Sequence, residues 1–256
     1  MPHTLASPPP PLSPLPGADL PLLNPHPRIS VVPIFDNHQC IVVDDFLLDP
    51  AELIEHAASS HAEFRDDPRN YYPGPEMPIG GVFALRLRDA FLQHARGPLG
   101  ARRVHNMMSR MSLVTRRPDE VLPAQRLPHR DIDGLPPGEG AAAMVLYLFQ
   151  DERFGGTSFF RPTVSPDEIA AMLQGLRRQE LAGETPPSDG PPTYAIASSR
   201  CFEKVLTIAP RYNRAIFYDG RLYHSGDLHT PELMVNDPRT GRLTVNAFFR
   251  VRMAAA

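Results

Sequence analysis

The sequence predicts a mainly β domain, a sandwich or barrel, with flanking helices. Short runs rich in β-branched and aromatic residues recur along the chain with turn signals between them. Proline occupies 31 of 256 positions, about twice its usual share, which leaves little room for long helix. Only two segments carry the capping chemistry of a helix start.

Residues 1–28 hold Pro8-Pro9-Pro10-Pro11 and six further prolines, a composition that suits neither helix nor ladder and reads as a disordered tail. The remaining residues, 29–256, form the domain. A β-rich run from His38 to Val43 leads into Asp49-Pro50-Ala51-Glu52, where an N-cap, a first-turn proline and a glutamate start a helix striped by Leu53, Ile54, Ala57 and Ala58. A second short helix is expected over residues 88–95. Ser165-Pro166-Asp167-Glu168 repeats the capping pattern ahead of Ile169, Met172, Leu173 and Leu176. Strands are expected near 103–115, 143–149, 157–161, 204–209, 214–218, 221–227 and 242–251. A loop at 64–81, rich in Pro, Asp and Tyr, precedes the strands, and loops at 181–201 and 228–241, rich in Pro, Gly, Asp and Thr, interrupt them; specificity would reside on these loops.

Asp219-Gly220 separates two of these strands and reads as a type I′ hairpin turn. The register that follows sets Ala215 opposite His224 and turns Asn213, Ala215 and Phe217 to the same inward face. On this reading valine at 220 is strained and asparagine is tolerated. The last strand alternates a polar face, Arg242, Thr244, Asn246 and Phe248, with an apolar one, Leu243, Val245, Ala247 and Phe249. The polar face lines a pocket or faces solvent, and an arginine on it can clamp a carboxylate.

Composition narrows the function. A net charge of −3 with no basic run offers no footprint for nucleic acid or an anionic membrane, and no apolar stretch reaches the length of a span. The expectation is a cytoplasmic protein acting on a small-molecule or peptide-like substrate. Cys40 and Cys201 read as buried thiols.

His129 and Asp131 stand two apart, so in extended chain they point the same way. With His224, which follows a short aromatic strand, they compose a two-histidine, one-carboxylate face. Such a face leaves three adjacent coordination positions open, which suits ferrous iron binding a cosubstrate and dioxygen.

Taken in order, His129-x-Asp131, Val145-Leu146-Tyr147-Leu148, Gly155-Gly156-Thr157-Ser158-Phe159-Phe160, His224 and Arg242 resemble the Fe(II)/2-oxoglutarate-dependent oxygenases, closest to the prolyl 4-hydroxylase-like branch. The resemblance spans about residues 105–251. It implies a double-stranded β-helix core, jelly-roll or cupin-like. It further implies a dioxygenase that couples oxidative decarboxylation of 2-oxoglutarate to hydroxylation of a substrate, with ascorbate as the in vitro reductant. In that scheme His129, Asp131 and His224 hold iron, Arg242 binds the distal carboxylate of 2-oxoglutarate, and Tyr147 hydrogen-bonds the same group. Asn213 joins the cofactor side only through its predicted inward face. Two departures stand out: a long interval between His224 and Arg242, and Leu148-Phe149 after Tyr147. Arg211, Arg214 and Arg250 are alternative anion binders, and His229 an alternative distal ligand.

Other readings share some of these residues. His129-Arg130-Asp131 matches a kinase catalytic loop, but Pro136 stands where asparagine is needed and no Asp-Phe-Gly follows. A zinc hydrolase would leave the tyrosine strand and Arg242 without a role. A cupin-like metal-binding protein without turnover shares the ligands, and only succinate formation separates it from the oxygenase.

Overall fold

Two antiparallel sheets, one of seven strands and one of three, face each other across a cavity. A computed structural model describes residues 21–67, 72–132, 134–183 and 191–254. The strands are β1 (Arg28–Pro33), β2 (Gln39–Asp44), β3 (Glu76–Pro78), β4 (Ala101–Val114), β5 (Glu139–Tyr147), β6 (Thr157–Pro162), β7 (Phe202–Ile208), β8 (Arg214–Asp219), β9 (Tyr223–Gly226) and β10 (Arg242–Met253). The larger sheet runs β1-β2-β8-β5-β10-β4-β3 and the smaller β7-β6-β9. Among the described residues no helix is long and apolar enough to cross a membrane.

The helices are α1 (Ala51–Ser59), α2 (Gly81–Ala90) and α3 (Pro166–Leu181). Asp49 Oδ1 accepts from the Ala51 N–H at 3.0 Å, capping α1. Ser165 and Glu168 satisfy each other's backbone N–H groups ahead of α3. The second helix begins seven residues before its expected start and continues as a wider π turn through Phe91–Ala95. The sequence conceals its N-terminal part because Gly80-Gly81 reads as a breaker.

The outer face of the larger sheet is the main core. Leu243, Val245, Ala247 and Phe249 of β10 pack with Leu53, Phe83, Leu87 and Phe91 from α1, α2 and the π turn. The Phe91 ring stacks on Phe249 with centroids 4.5 Å apart. Each such ring contributes about 1.5–3 kcal/mol by leaving water, so the helices are held by apolar area while the opposite face of β10 stays free for polar side chains.

Residues 1–20 of the expected tail lie outside the described residues, but the end of that segment belongs to the domain. Leu23 bridges Leu47, the Asn24 N–H donates to Phe46 O, and the Leu48 N–H donates to Leu22 O. Pro21, Pro25 and Pro27 alternate with the bonding residues, so the missing N–H groups are not needed there. β1 and β3, not expected from the sequence, pair as the two edges of the larger sheet.

The expected Asp219-Gly220 hairpin does not form. Both edges of β8 are already taken, by β2 and by β5, so β9 crosses to the smaller sheet and pairs with β6. The 219–222 turn, closed by the Leu222 N–H on Asp219 O at 3.0 Å, carries the chain between sheets. Gly220 is not among the residues with positive φ. Consequently Ala215 and Phe217 face the helices, Phe217 lying against Phe46 and Phe91, and Ile216 and Tyr218 face the cavity side.

Candidate metal centre

Backbone pairing brings the three expected ligands together. The His129 N–H donates to His224 O and the His224 N–H to His129 O, both at 2.9 Å. Residues exchanging both bonds lie opposite one another and project to one face, and the two rings are 4.5 Å apart. Two residues on, the Asp131 N–H donates to Gly220 O at 2.9 Å, which lays Asp131 on the same face as His129. One ligand atom from each of His129, Asp131 and His224 falls within 4.8 Å of the others. His224 Nε2 is 3.4 Å and His129 Nε2 4.0 Å from Asp131 Oδ1.

The hydrogen bonding suits a cation. His224 Nδ1 lies 2.9 Å from Leu222 O, a contact that places the proton on Nδ1 and leaves the Nε2 lone pair toward Asp131. Asp131 Oδ2 is buried without a hydrogen-bond partner. An Nε2 lone pair facing Asp131 Oδ1 at 3.4 Å, beside a carboxylate whose Oδ2 is buried and unpaired, is costly without a positive charge nearby. Two imidazoles and a carboxylate are a donor set for a divalent transition metal.

The three groups also set one another's protonation in the metal-free site. Crowding by the surrounding protein, then the neighbouring His224, lower the His129 pKa against the pull of Asp131, so its ring is neutral at pH 7. Its side chain is nonetheless 57 % accessible, through the cavity it lines. Burial alone would depress His224, but the charge and hydrogen bond of Asp131 outweigh it and raise the pKa. Burial would likewise raise Asp131, and the histidines reverse it to hold the carboxyl ionised.

A cavity of about 890 Å³ opens beside these residues. Along its sheet wall the register aligns Thr244 with Ser112 and Tyr147, Asn246 with Arg110 and Val145, and Phe248 with Met108 and Ala143. Arg242, at the head of β10, is 4 % accessible. Its Nε and Nη2 donate to the carbonyls of Phe154, Gly155 and Gly156, and its guanidinium lies 5.4 Å from the Phe149 ring centroid. No carboxylate pairs with it among the described residues. Each alternative already has a carboxylate: Arg211 and Arg214 pair with Asp44, and Arg250 with Glu139.

Two expected cofactor residues are placed differently. Asn213 adopts φ +61 in the turn before β8, and its amide bonds the N–H and O of Leu47 at 2.9 Å each. Its side chain fastens the lead-in segment to the sheet and does not line the cavity. Tyr147 is fully buried behind Thr157, its hydroxyl 2.8 Å from Thr157 Oγ1. Thr157 is the member of that pair on the cavity wall.

The cavity also holds residues the sequence did not single out. Tyr72 places a buried hydroxyl without a hydrogen bond of good geometry beside Arg242 and Thr244. Its loop has no periodicity that could have marked it. Tyr218 stands with its ring 4.8 Å from His224, and alternation along β8 marks it once the hairpin register is set aside. Arg110 and Glu76 form a 2.7 Å ion pair on the wall.

The model of a family of unknown function, DUF6445, matches residues 25–249. The chain belongs to DUF6445. The match takes in the clustered His129, Asp131 and His224, Arg242 and the strands that carry them. No curated protein matches the chain. Two solved structures are distantly similar, both of an N-substituted L-amino acid dioxygenase from Burkholderia ambifaria AMMD. One, in complex with alpha-KG, has 12% identity and a TM-score of 0.33, covering 82% of this chain and 81% of that one. The other has 11% identity and a TM-score of 0.33, covering 84% and 86%. A TM-score of 0.33 is too low to establish a common fold.

Proposed function

We propose that this protein is an Fe(II)/2-oxoglutarate-dependent oxygenase that hydroxylates a small-molecule or peptide-like substrate, on a double-stranded β-helix core. The observation that carries the reading is the pairing, in one cavity, of a two-histidine, one-carboxylate cluster with a buried arginine that lacks a carboxylate partner. The strand order supports the core: β8-β5-β10-β4 forms one layer, and the His129 segment, β9, β6 and β7 form the other.

His129, Asp131 and His224 would hold the metal, with Asp131 offsetting part of its charge. Bound ferrous iron with 2-oxoglutarate supplies the oxidative decarboxylation that drives hydroxylation. The chain's own part is orientation. Arg242, held rigid by three carbonyls, presents its remaining N–H donors to an incoming carboxylate, and Thr157 is positioned by Tyr147 to donate beside it. Tyr218 crowds the His224 ring and limits its rotation. The walls shield Asp131 and His224 from bulk water and leave His129 facing the cavity.

The test measures Fe(II)-dependent succinate formation from 2-oxoglutarate with ascorbate, alongside calorimetric binding of 2-oxoglutarate. Binding of 2-oxoglutarate that needs metal, together with succinate release abolished in Asp131→Ala, is expected. Metal binding without either would leave a cupin-like metal-binding protein, and hydrolytic activity with Zn(II) would favour the zinc enzyme.

A further inference from the structure

We infer that the primary substrate is an elongated molecule with an apolar body and an anionic end, the end being held at a basic rim around Arg250 and Arg177. The inference deepens the proposed function and rests on it for the meaning of the metal cluster.

The cavity is far larger than 2-oxoglutarate needs, and its charge is lopsided. Arg110, Arg130, Arg177, Arg242 and Arg250 line it against Glu76, Asp131 and Glu180, with Glu139 beside Arg250 as a fourth carboxylate, on a chain whose net charge is −3. Glu76 neutralises Arg110, and Asp131 belongs to the metal cluster. Arg177 has no carboxylate within ion-pair distance among the described residues. Glu139 meets Arg250 at Nε, at the stem of a guanidinium whose side chain is 47 % accessible, so the terminal N–H groups can still turn to an anion. A basic cleft in an acidic protein concentrates anions.

Both walls run from apolar to basic. On β10 the cavity face passes from Phe248, opposite Met108 and Ala143, to Arg250, opposite Ala141. On α3, Ile169 and Leu173 are followed at helical spacing by Arg177. The scale follows from sheet geometry. Gly220, on which the Asp131 carboxylate rests, donates its N–H to Ala141 O, and Ala141 pairs with Arg250. Two strand spacings of about 4.8 Å therefore separate Gly220, against which the Asp131 carboxylate lies, from Arg250, about 10 Å at the backbone. A molecule that places a C–H group at the metal and an anion at the rim spans about that length, with small alanines and Phe248 beside its middle.

Carboxylate and phosphate share the required chemistry. The experiment is calorimetry on the full chain without added metal, using octanoate, octyl phosphate, octanol and octyltrimethylammonium as probes, with and without saturating 2-oxoglutarate. Octanoate or octyl phosphate is expected to bind at least tenfold more tightly than octanol or the ammonium, whether or not 2-oxoglutarate is present, and the tighter one names the head group. Arg250→Gln and Arg177→Gln should each weaken it at least fivefold and Arg250→Lys should restore it, at unchanged melting temperature. Equal binding of octanol, no binding by either anion, or indifference to both glutamine variants overturns the inference. So does displacement by 2-oxoglutarate together with loss in Arg242→Ala, which would put the anion at Arg242. Because neither metal nor turnover is needed, anion binding that survives an absence of iron-dependent succinate release would sink the oxygenase reading alone.

Discussion

Gly220 and Asp131 are in contact: a Cβ at position 220 would stand 2.6 Å from Asp131 Oδ2. The glycine is required by this close approach, not by a left-handed φ, and that changes what its replacement should do. Alanine, asparagine and valine must all push the carboxylate aside, so asparagine is no milder than alanine. Since a side-chain terminus moves and no backbone clash is involved, melting should change little. Metal affinity is expected to fall about tenfold, or about 1.4 kcal/mol, in Gly220→Ala. Mn(II) titration calorimetry with parallel thermal unfolding checks this, and unchanged affinity would show that Asp131 is not a ligand.

Arg242→Ala should weaken 2-oxoglutarate binding at least tenfold with the metal still bound. Loss of a desolvated charge pair costs about 2–5 kcal/mol. The same variant leaves the carbonyls of residues 154–156 without their donor, so stability drops as well, by about 1–3 kcal/mol. Binding must therefore be compared below the melting transition of the variant. Unaltered affinity would show that Arg242 is not the anchor.

In the metal-free protein, stability should decline with rising pH through the His224–Asp131 pair. His224 titrates above its ordinary value of 6.5 when folded. A pKa raised by folding gives stability that is complete below the unfolded value and is lost as pH rises through the folded one. His129, whose pKa is lowered, acts in a window below 6.5 and does not interfere. Urea unfolding at pH values rising from 6.5 should show a slope in the wild type that His224→Gln lacks. A parallel pair of curves would mean that the two side chains are not coupled.

Cys40 is fully buried, and burial pushes its thiol up to about 12. At pH 8 a thiol reagent should label Cys201, which is half-buried, and spare Cys40 until the chain is unfolded. Because folding raises an acid's pKa here, the fold should also lose stability as pH climbs past the unfolded value near 9. Two reactive thiols in the native protein would contradict the packing of β2.

Much of the site is legible in the order of residues. Spacing alone puts His129 and Asp131 on one face, alternation divides β10 into the polar wall and the apolar core face, and capping chemistry locates α1 and α3. Each of these signals acts over a few residues, where φ/ψ preference and side-chain period decide the outcome. The Asp219-Gly220 turn is different because it depends on something distant. Whether β9 can fold back on β8 is settled by β2 and β5, strands from far earlier in the chain that already occupy both edges. The same non-local pairing turns Ala215 and Phe217 away from the cavity, gives Asn213 a structural bond to Leu47, and sets Tyr147 behind Thr157. It also brings Tyr72, from a loop without pattern, beside Arg242. The sequence by itself marked His129, Asp131, His224 and Arg242 as side chains able to carry metal and anion chemistry; the tertiary structure decided which strands are neighbours and which way Asn213, Ala215, Phe217 and Tyr147 face, because hydrogen-bonding edges are a shared and limited resource that no local window can count.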